Sequence, residues 1–543
     1  MKQLFKFFGW IFTAVMALVA LAVAYLAGLY CSADVTEPEG ACRGAVHRVV
    51  TFPDGHSEFG DNMLRHSRNG FWELSLNGGA EERGAAFGAL CDSLLDYQER
   101  IFIDQIHRIV PNDRYLRFLN IVTQIFNRRI THHIPEEYCR EIAAMSRYCT
   151  HEYDFFGTPY LRQLNYHAAH DIGHAMQDYM LVGCTAVGAW GKASDEGLVV
   201  GRNFDFWVGD DFAANRLITF CSPESGHPFV SIGWAGMVGV LSGMNAEGLC
   251  ITLHAAKGDL PLRSATPVSI LAREILQYAA TIDEAVAIAS RAKLFVSECF
   301  LVGSARDGRC VVIEKTPEQQ DIYAPEGEVL CLSNHFRSEG LAQSPLNCDN
   351  IASSDSRFRL ERIEDLARKA QPLTTRKVVG ILRDRKLSDS VDLGLSNPMA
   401  INQQIAHHSV VFEPNRLRMW LSTDAWGYGE WVAYDVGAVL RGEKPFVAEL
   451  AEDEVIEADR DFLVKDLPRL VRYRQILRSP SVATIDSLPI LNPEAWESHV
   501  AQGDFYRKSG DKERARICYR DALQRPMPEG EKFNVEHKLN AIK

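Results

Sequence analysis

Gly183-Cys-Thr185, followed a short interval later by Gly201-Arg-Asn-Phe-Asp-Phe206, is the pair of stretches that decides the reading of this 543-residue chain. A cysteine thiol is mostly protonated at neutral pH and needs a base to become a strong nucleophile. A free α-amino group titrates near about 7.7–8.0, close to what a base at neutral pH requires. A cysteine at the first position of a chain therefore carries nucleophile and base on one residue, a variant of the nucleophile–base pair. Its amine must first be freed from a longer precursor. Gly183 suits that step, because a residue without Cβ tolerates strained backbone and lets the thiol reach its carbonyl. Val199 and Val200 lead into Arg202, Asn203 and Asp205 as a strand-like run. On a strand, Asn203 and Asp205 point to one face and Arg202 to the other.

Working outward, Leu76-Asn-Gly-Gly-Ala-Glu-Glu-Arg-Gly-Ala-Ala-Phe-Gly88 reads as a strand running into a helix. Helices are expected around 90–110 and 115–128. Val238–Met244 and Leu249–Leu253 read as a hairpin closed by the turn-rich Asn245-Ala-Glu-Gly248. Leu330-Cys-Leu-Ser-Asn-His-Phe336 is an apolar strand ending in polar residues. Asp355-Ser-Arg-Phe-Arg359 opens a helix through Leu360, Ile363, Leu366 and Ala367, with Asp355 or Ser356 at its cap. Pro267–Ala280 reads as a helix, and Thr281-Ile-Asp-Glu284 as a capping box for the next. Cys299–Ile313 and Ser409–Leu421 read as hairpins turning at Asp307-Gly308 and Pro414-Asn415.

These motifs together resemble the cysteine branch of the N-terminal nucleophile (Ntn) hydrolases. That branch includes acid ceramidase, choloylglycine hydrolase, penicillin V acylase and acyl-coenzyme A:isopenicillin N acyltransferase. The resemblance spans roughly residues 70–440. It implies an α+β fold, an αββα sandwich, and self-cleavage between Gly183 and Cys184. Cys184 becomes the nucleophile, with Arg202 and Asp205 beside it and the aspartate orienting the new amine. Asn334, at the strand end resembling the family's Thr-Asn-His, is implied as the oxyanion donor. Such a donor in a dry site lowers a barrier by about 3 kcal/mol. The Ser-Arg-Phe of the choloylglycine hydrolases maps Arg357 into the active-site set. His254 stands where those enzymes carry an asparagine, a departure that makes it, with Asn203, a candidate substrate or oxyanion residue. The reaction implied is hydrolysis or transfer of the acyl group of a small N-acyl amide through a thioester, with no cofactor.

Length argues for two to four domains, and 46% apolar with 24% charged residues is ordinary globular composition. A net charge of −13 argues against a general nucleic-acid binder. Phe7–Ala33 carries no charged side chain and follows Lys2 and Lys6. It reads as an uncleaved transmembrane anchor with the remainder exported, periplasmic or extracytoplasmic. The expected division is 1–33 anchor, 34–183 pro-segment, 184–475 catalytic domain and 476–543 helical tail, with the two fragments staying associated after the cut. In that tail Gly503, Tyr506, Ala515, Tyr519 and Ala522 are spaced as in one tetratricopeptide helix pair. Thirteen cysteines leave at least one thiol unpaired in any compartment, and Cys139 and Cys149 are near enough in sequence for a local bridge. His170 and His174 in His167-Ala-Ala-His-Asp-Ile-Gly-His174 share a helix face, but no general-base glutamate or third ligand accompanies them, so no metal is expected. The contrasting reading is an Ntn fold that has lost catalysis and acts as a membrane-tethered interaction module.

Overall fold

The computed structural model describes the chain apart from residues 1, 40–46, 176–180, 259–263, 443–453 and 543. Its body is two stacked sheets. An 11-stranded sheet runs, in spatial order, from Val50–Thr51 through Trp72–Gly78, Leu217–Pro223 and Leu249–Ala255 to Gln320–Tyr323. A six-stranded sheet has the order Val329–Leu332, Leu181–Ala189, Val199–Trp207, Ala406–Glu413, Arg418–Ser422, Trp431–Asp435. All pairings in these two sheets are antiparallel except that of Trp72–Gly78 with Leu217–Pro223.

Alternation along the strands explains the stacking. Ala186, Val200, Val410 and Phe412 of the smaller sheet pack against Ile218, Val230, Cys250 and Leu301 of the larger one. Their neighbours Val187, Val199, Val411 and Trp420 face the other way, onto Leu360, Ile363, Val378 and Leu382 of the helices Ser356–Ala370 and Thr375–Leu382. On the far side of the larger sheet, Leu74, Ile251, Val302 and Ile313 bury against Ile142, Met145, Leu271 and Ile275 of the helices Glu136–Ser146 and Val268–Tyr278. The result is four layers, helix–sheet–sheet–helix, as the resemblance implied.

Local readings held where short-range chemistry governs. Thr281 and Glu284 form a capping box on Ile282–Arg291. Gly248 closes the Ser242–Asn245/Leu249–Ala255 hairpin at φ +75°, packed so tightly that a Cβ there would lie 2.9 Å from the Pro414 carbonyl oxygen. Cys139 and Cys149 are both free and buried rather than bridged, and among the described residues every cysteine is free.

Lys2–Cys31 is helical, with Phe8, Trp10, Phe12 and Leu18 exposed. No helix among the described residues, however, is long and apolar enough to cross a membrane. The expected transmembrane anchor is therefore not found there; the side chains of residues 2–7, 9, 11 and 14, which that reading needs, fall outside the described set. At the other end, Trp496–Lys508 and Lys512–Ala522 form a helical hairpin in which a Cβ on Gly503 would sit 2.7 Å from the Tyr519 ring. Leu467–Arg478 and Glu529–Asn540 complete this helical end.

Candidate active site

Leu181–Ala189 and Val199–Trp207 pair with Cys184 opposite Phe204, Gly183 opposite Asp205 and Ala186 opposite Arg202. The period of two puts Cys184 and Arg202 on the face towards the larger sheet and Gly183 and Asp205 on the opposite face. Arg202 Nη2 donates to Cys184 Sγ at 2.9 Å and to the Leu253 carbonyl at 2.7 Å. Its Nη1 donates to the Leu241 carbonyl at 2.9 Å and Ser242 Oγ at 3.0 Å. The guanidinium also lies over the Phe204 ring, 4.6 Å from its centroid. Cys184 is 1% exposed. Burial pushes its thiol up to about 11, against the opposing pull of Arg202.

Asp205 is buried, and that burial pushes its carboxyl up to about 7, opposed by Arg359 and Arg202. Gln403 Nε2 donates to Asp205 Oδ2 at 3.3 Å, while Oδ1 has no partner. The same Gln403 nitrogen would stand 2.5 Å from a Cβ on Gly183. Glycine at 183 thus has a packing reason: it lets the Gln403–Asp205 pair close over the peptide that precedes the cysteine.

Three groups grip the backbone of Cys184. Its N–H donates to Asn334 Oδ1 at 2.7 Å, and its carbonyl accepts from Arg359 Nη1 at 2.6 Å. Arg359 Nη1 also donates to Thr185 Oγ1 at 3.1 Å, and Nη2 to Asn334 Oδ1 at 2.9 Å and Asp355 Oδ1 at 2.8 Å. Asn334, expected as an oxyanion donor, here spends its amide N–H on the Ala255 carbonyl at 2.8 Å and turns its oxygen to the Cys184 nitrogen.

Arg357 is not brought to Cys184. It is 42% exposed, over the Phe358 ring, and its nearest carboxylate is Glu361 at 3.7 Å. Two residues along a helix turn the direction by about 200°, so Arg359 faces the sheet where Arg357 faces solvent. The signal was present in the periodicity: Arg359 shares the buried stripe of Ser356, Leu360, Ile363 and Ala367. Asn203 also points away, donating to the Leu382 and Ile401 carbonyls at 2.9 and 3.0 Å and accepting from Ser409 at 2.7 Å. It ties strands and loops together. His254 is buried at the end of its strand, with Thr252 Oγ1 2.9 Å from Nε2 and Nδ1 unpartnered. Burial, Arg202 and Arg359 hold it well below the usual histidine range, hence neutral.

Sequence reasoning missed a relay behind Arg202. Ser242 Oγ accepts from Arg202 and lies 2.8 Å from His408 Nε2. His408 Nδ1 in turn lies 3.0 Å from His407 Nδ1, one of the two donating and the other accepting. His407 stands edge-on to Trp234 with ring centroids 5.2 Å apart. Burial drives both imidazoles down, His407 to about 3, so both are neutral. No short-range sequence signal joins residues 202, 242 and 408.

A cavity of about 770 Å³ opens beside Asn334, Arg359, Gln403 and Ala255 and continues between them and Tyr473, Trp496 and Glu497 of the C-terminal helices. The histidine cluster plays another part. His167 accepts from the Val238 N–H at Nε2, 3.0 Å, and bonds the Gln163 carbonyl through Nδ1 at 2.7 Å. The His170 and His174 side chains lie outside the described residues, among which no group of three or more metal-binding side chains occurs.

Residues 192–426 match the family model described as acyl-coenzyme A:6-aminopenicillanic acid acyl-transferase. An uncharacterized protein of Archaeoglobus fulgidus is 26% identical over 253 residues, 44% of this chain and 42% of that protein. Protein dcd1A of Dictyostelium discoideum is 31% identical over 125 residues, 21% of this chain and 28% of that protein. The chain spans less than half the length of these relatives. Among solved structures, a Caenorhabditis elegans N-acylethanolamine-hydrolyzing acid amidase ortholog is 18% identical with TM-score 0.31, over 43% of this chain and 93% of that one. Penicillin V acylase from Agrobacterium tumefaciens is 15% identical with TM-score 0.29, over 44% and 82%. The family match bears out the resemblance to the cysteine Ntn-hydrolase group.

Proposed function

We propose that this chain is the precursor of an amidohydrolase or acyltransferase whose nucleophile is Cys184, exposed as an N-terminal residue by cleavage after Gly183. The observation that carries the reading is the threefold grip on one residue: Arg202 on its sulfur, Asn334 on its nitrogen and Arg359 on its carbonyl.

The chemistry follows in order. In the uncut chain a thiol held near 11 is almost wholly protonated at neutral pH, so the cysteine is a dormant nucleophile. Attack of Sγ on the Gly183 carbonyl, with the peptide nitrogen of Cys184 as leaving group, gives a thioester. The departing nitrogen takes up the thiol proton and is thereby the free Cys184 amine; water then hydrolyses the thioester, which restores the thiol and leaves Gly183 as a carboxylate at the end of the upstream fragment. That amine supplies the base the buried thiol lacked. The unpartnered Asp205 Oδ1 beside Gly183 is an acceptor for it, and Asn334 Oδ1 already receives a hydrogen from the same nitrogen. With substrate, Sγ attacks the acyl carbonyl while the amine takes the thiol proton. Backbone N–H groups hold the oxyanion, with Asn334 if its amide leaves the Ala255 carbonyl. The amine then protonates the departing nitrogen, and water or a second amine releases the acyl group from sulfur. The fragment ending at Gly183, Lys2–Cys31 included, and the fragment beginning at Cys184 stay together through the shared sheet. The exposed apolar side chains of Lys2–Cys31 support a tether of the exported enzyme to an apolar surface such as a membrane.

Intact masses of the purified wild type and of Cys184→Ala test the reading. We expect a wild type split between Gly183 and Cys184, an uncut variant, and thioester-dependent turnover of N-acyl amides by the wild type alone. A wild type that stays whole would sink it and favour a catalytically silent interaction module.

A further inference from the structure

The far wall of the 770 Å³ cavity is built by the C-terminal helices and differs from the near wall in how its charged groups are partnered. Each cation that lines the cavity already has an acidic partner. Lys257 pairs with Asp349 at 2.9 Å, Arg359 with Asp355 at 2.8 Å, and Arg474 and Arg478 with Asp210 at 2.9 and 2.6 Å. Arg474 and Arg478 stand on the C-terminal helix Leu467–Arg478, but two carboxylates on the neighbouring C-terminal helices lack such partners. Glu497 lines the cavity with a buried Oε2 that has no partner, and Glu531 beside it accepts only from its neighbour Asn534, at 3.5 Å. Neither has a cationic partner among the described residues. Trp207, Tyr473 and Trp496 line the same space. Trp496 is 8% exposed, and its indole N–H has no partner.

A buried carboxyl without a partner is unfavourable unless something neutralises it. Burial, reinforced by Glu531, pushes the Glu497 carboxyl up to about 8. A cation arriving there would restore its charge, and aromatic faces around it add attraction of their own. The free Trp496 N–H would serve an acceptor oxygen on the same ligand. We propose that this wall is a cation-recognition subsite: the substrate bears an ammonium group, remote from the scissile amide, that docks against Glu497 and Glu531 among Trp496 and Tyr473. The proposal rests on the amidase reading for the word substrate, but the subsite itself does not need catalysis.

Binding is therefore measured first, on the full-length wild type and on Cys184→Ala, by tryptophan fluorescence. Hexyltrimethylammonium is compared with a neutral tert-butyl isostere of the same length. The cation should bind at least tenfold more tightly, about 1.4 kcal/mol. Glu497→Gln should erase that preference, and Glu497→Asp, which keeps the charge, should restore part of it. Equal affinities in the parent protein, or a preference that survives Glu497→Gln in a variant with an unchanged melt, overturn the proposal. Turnover of paired N-acyl amides, with the ammonium on the acyl end or on the amine, then places the group; turnover without preference for either cationic member also overturns it. Should no pair be turned over, the amidase reading fails and the binding comparison alone decides the subsite.

Discussion

The paired strands Leu181–Ala189 and Val199–Trp207, which reach the cavity through Trp207, and the C-terminal helices beyond Leu467 came to it by different routes. The strands are neighbours in the chain, and their register alone sets Arg202 on the thiol and Asp205 against Gly183. The helices reach the cavity from the end of the chain and bring Tyr473, Trp496 and Glu497 to a wall that faces Asn334 and Arg359. One region is proposed as a device for making a nucleophile, and its one unpartnered carboxylate oxygen, Asp205 Oδ1, lies where a new amine would arrive. The other is a surface left with unpaired polar atoms. The two proposals thus place chemistry on the strand pair and selectivity on the helical end.

That division can be broken first at Arg359. Removing one partner from a buried charged network costs about 3–5 kcal/mol, so Arg359→Ala should lower self-cleavage and kcat by at least about a hundredfold. Arg357→Ala should stay within about twofold of wild type, because its side chain is solvated. Parallel cleavage time courses followed by mass measurement check both; equal losses would remove Arg359 from the device.

Asp205 gives the next effect, in stability against pH. Its carboxyl is raised from 3.8 to about 7 in the folded chain, so the folded state binds the extra proton between those values. Stability should therefore be fully present below about pH 4 and fall as pH rises towards 7, by a few kcal/mol. Asp205→Asn in the uncut Cys184→Ala background should flatten that part of the curve. Urea unfolding at pH 4.5 and 7.5 measures it, with Glu413, also raised to about 7, contributing the same slope in both proteins. An unchanged slope would show that Asp205 is already ionised in the folded chain.

A smaller loss is expected at Ser242→Ala. It removes the hydroxyl between Arg202 and His408 while leaving the other three guanidinium bonds. We expect kcat to fall about tenfold, roughly 1.4 kcal/mol of barrier, with KM little altered; a change confined to KM would argue against a positioning role. The smallest effect belongs to the other region. Gly503→Ala forces a methyl against the Tyr519 ring and should lower the melting temperature of the helical end by an amount equivalent to about 1–3 kcal/mol. Self-cleavage should proceed at the wild-type rate, since nothing in the strand pair touches Gly503.

What could be read from the sequence follows the same split. The hairpins at Gly248 and Gly308 and the capping box at Thr281 depend on residues within a few positions of one another, whereas the four layers came from the family resemblance. The alternation that separates Arg202 from Asn203 and Asp205 is equally local. Asn334 was legible as a polar end to an apolar strand, though not that its oxygen would face the Cys184 nitrogen. The arginine of the 355–359 stretch was placed two residues early because motif similarity was preferred to the helical stripe that includes Arg359. The relay through Ser242, His408 and His407 and the acidic wall at Glu497 were invisible for a plainer reason. They exist only once distant segments are packed together, and no local pattern records that.

The strand Trp72–Gly78 pairs in parallel with Leu217–Pro223, as the fourth and fifth of the larger sheet's eleven strands. A cut after Gly183 would then leave one sheet shared by two polypeptides. Before the cut, refolding is a unimolecular event whose midpoint ignores protein concentration. After it, recovery requires two chains to find each other, and the midpoint becomes dependent on dilution. Maturation would in this way convert a protein that can refold into one that survives chiefly by unfolding slowly. The same bond cleavage that wakes the thiol would make the fold a one-way assembly.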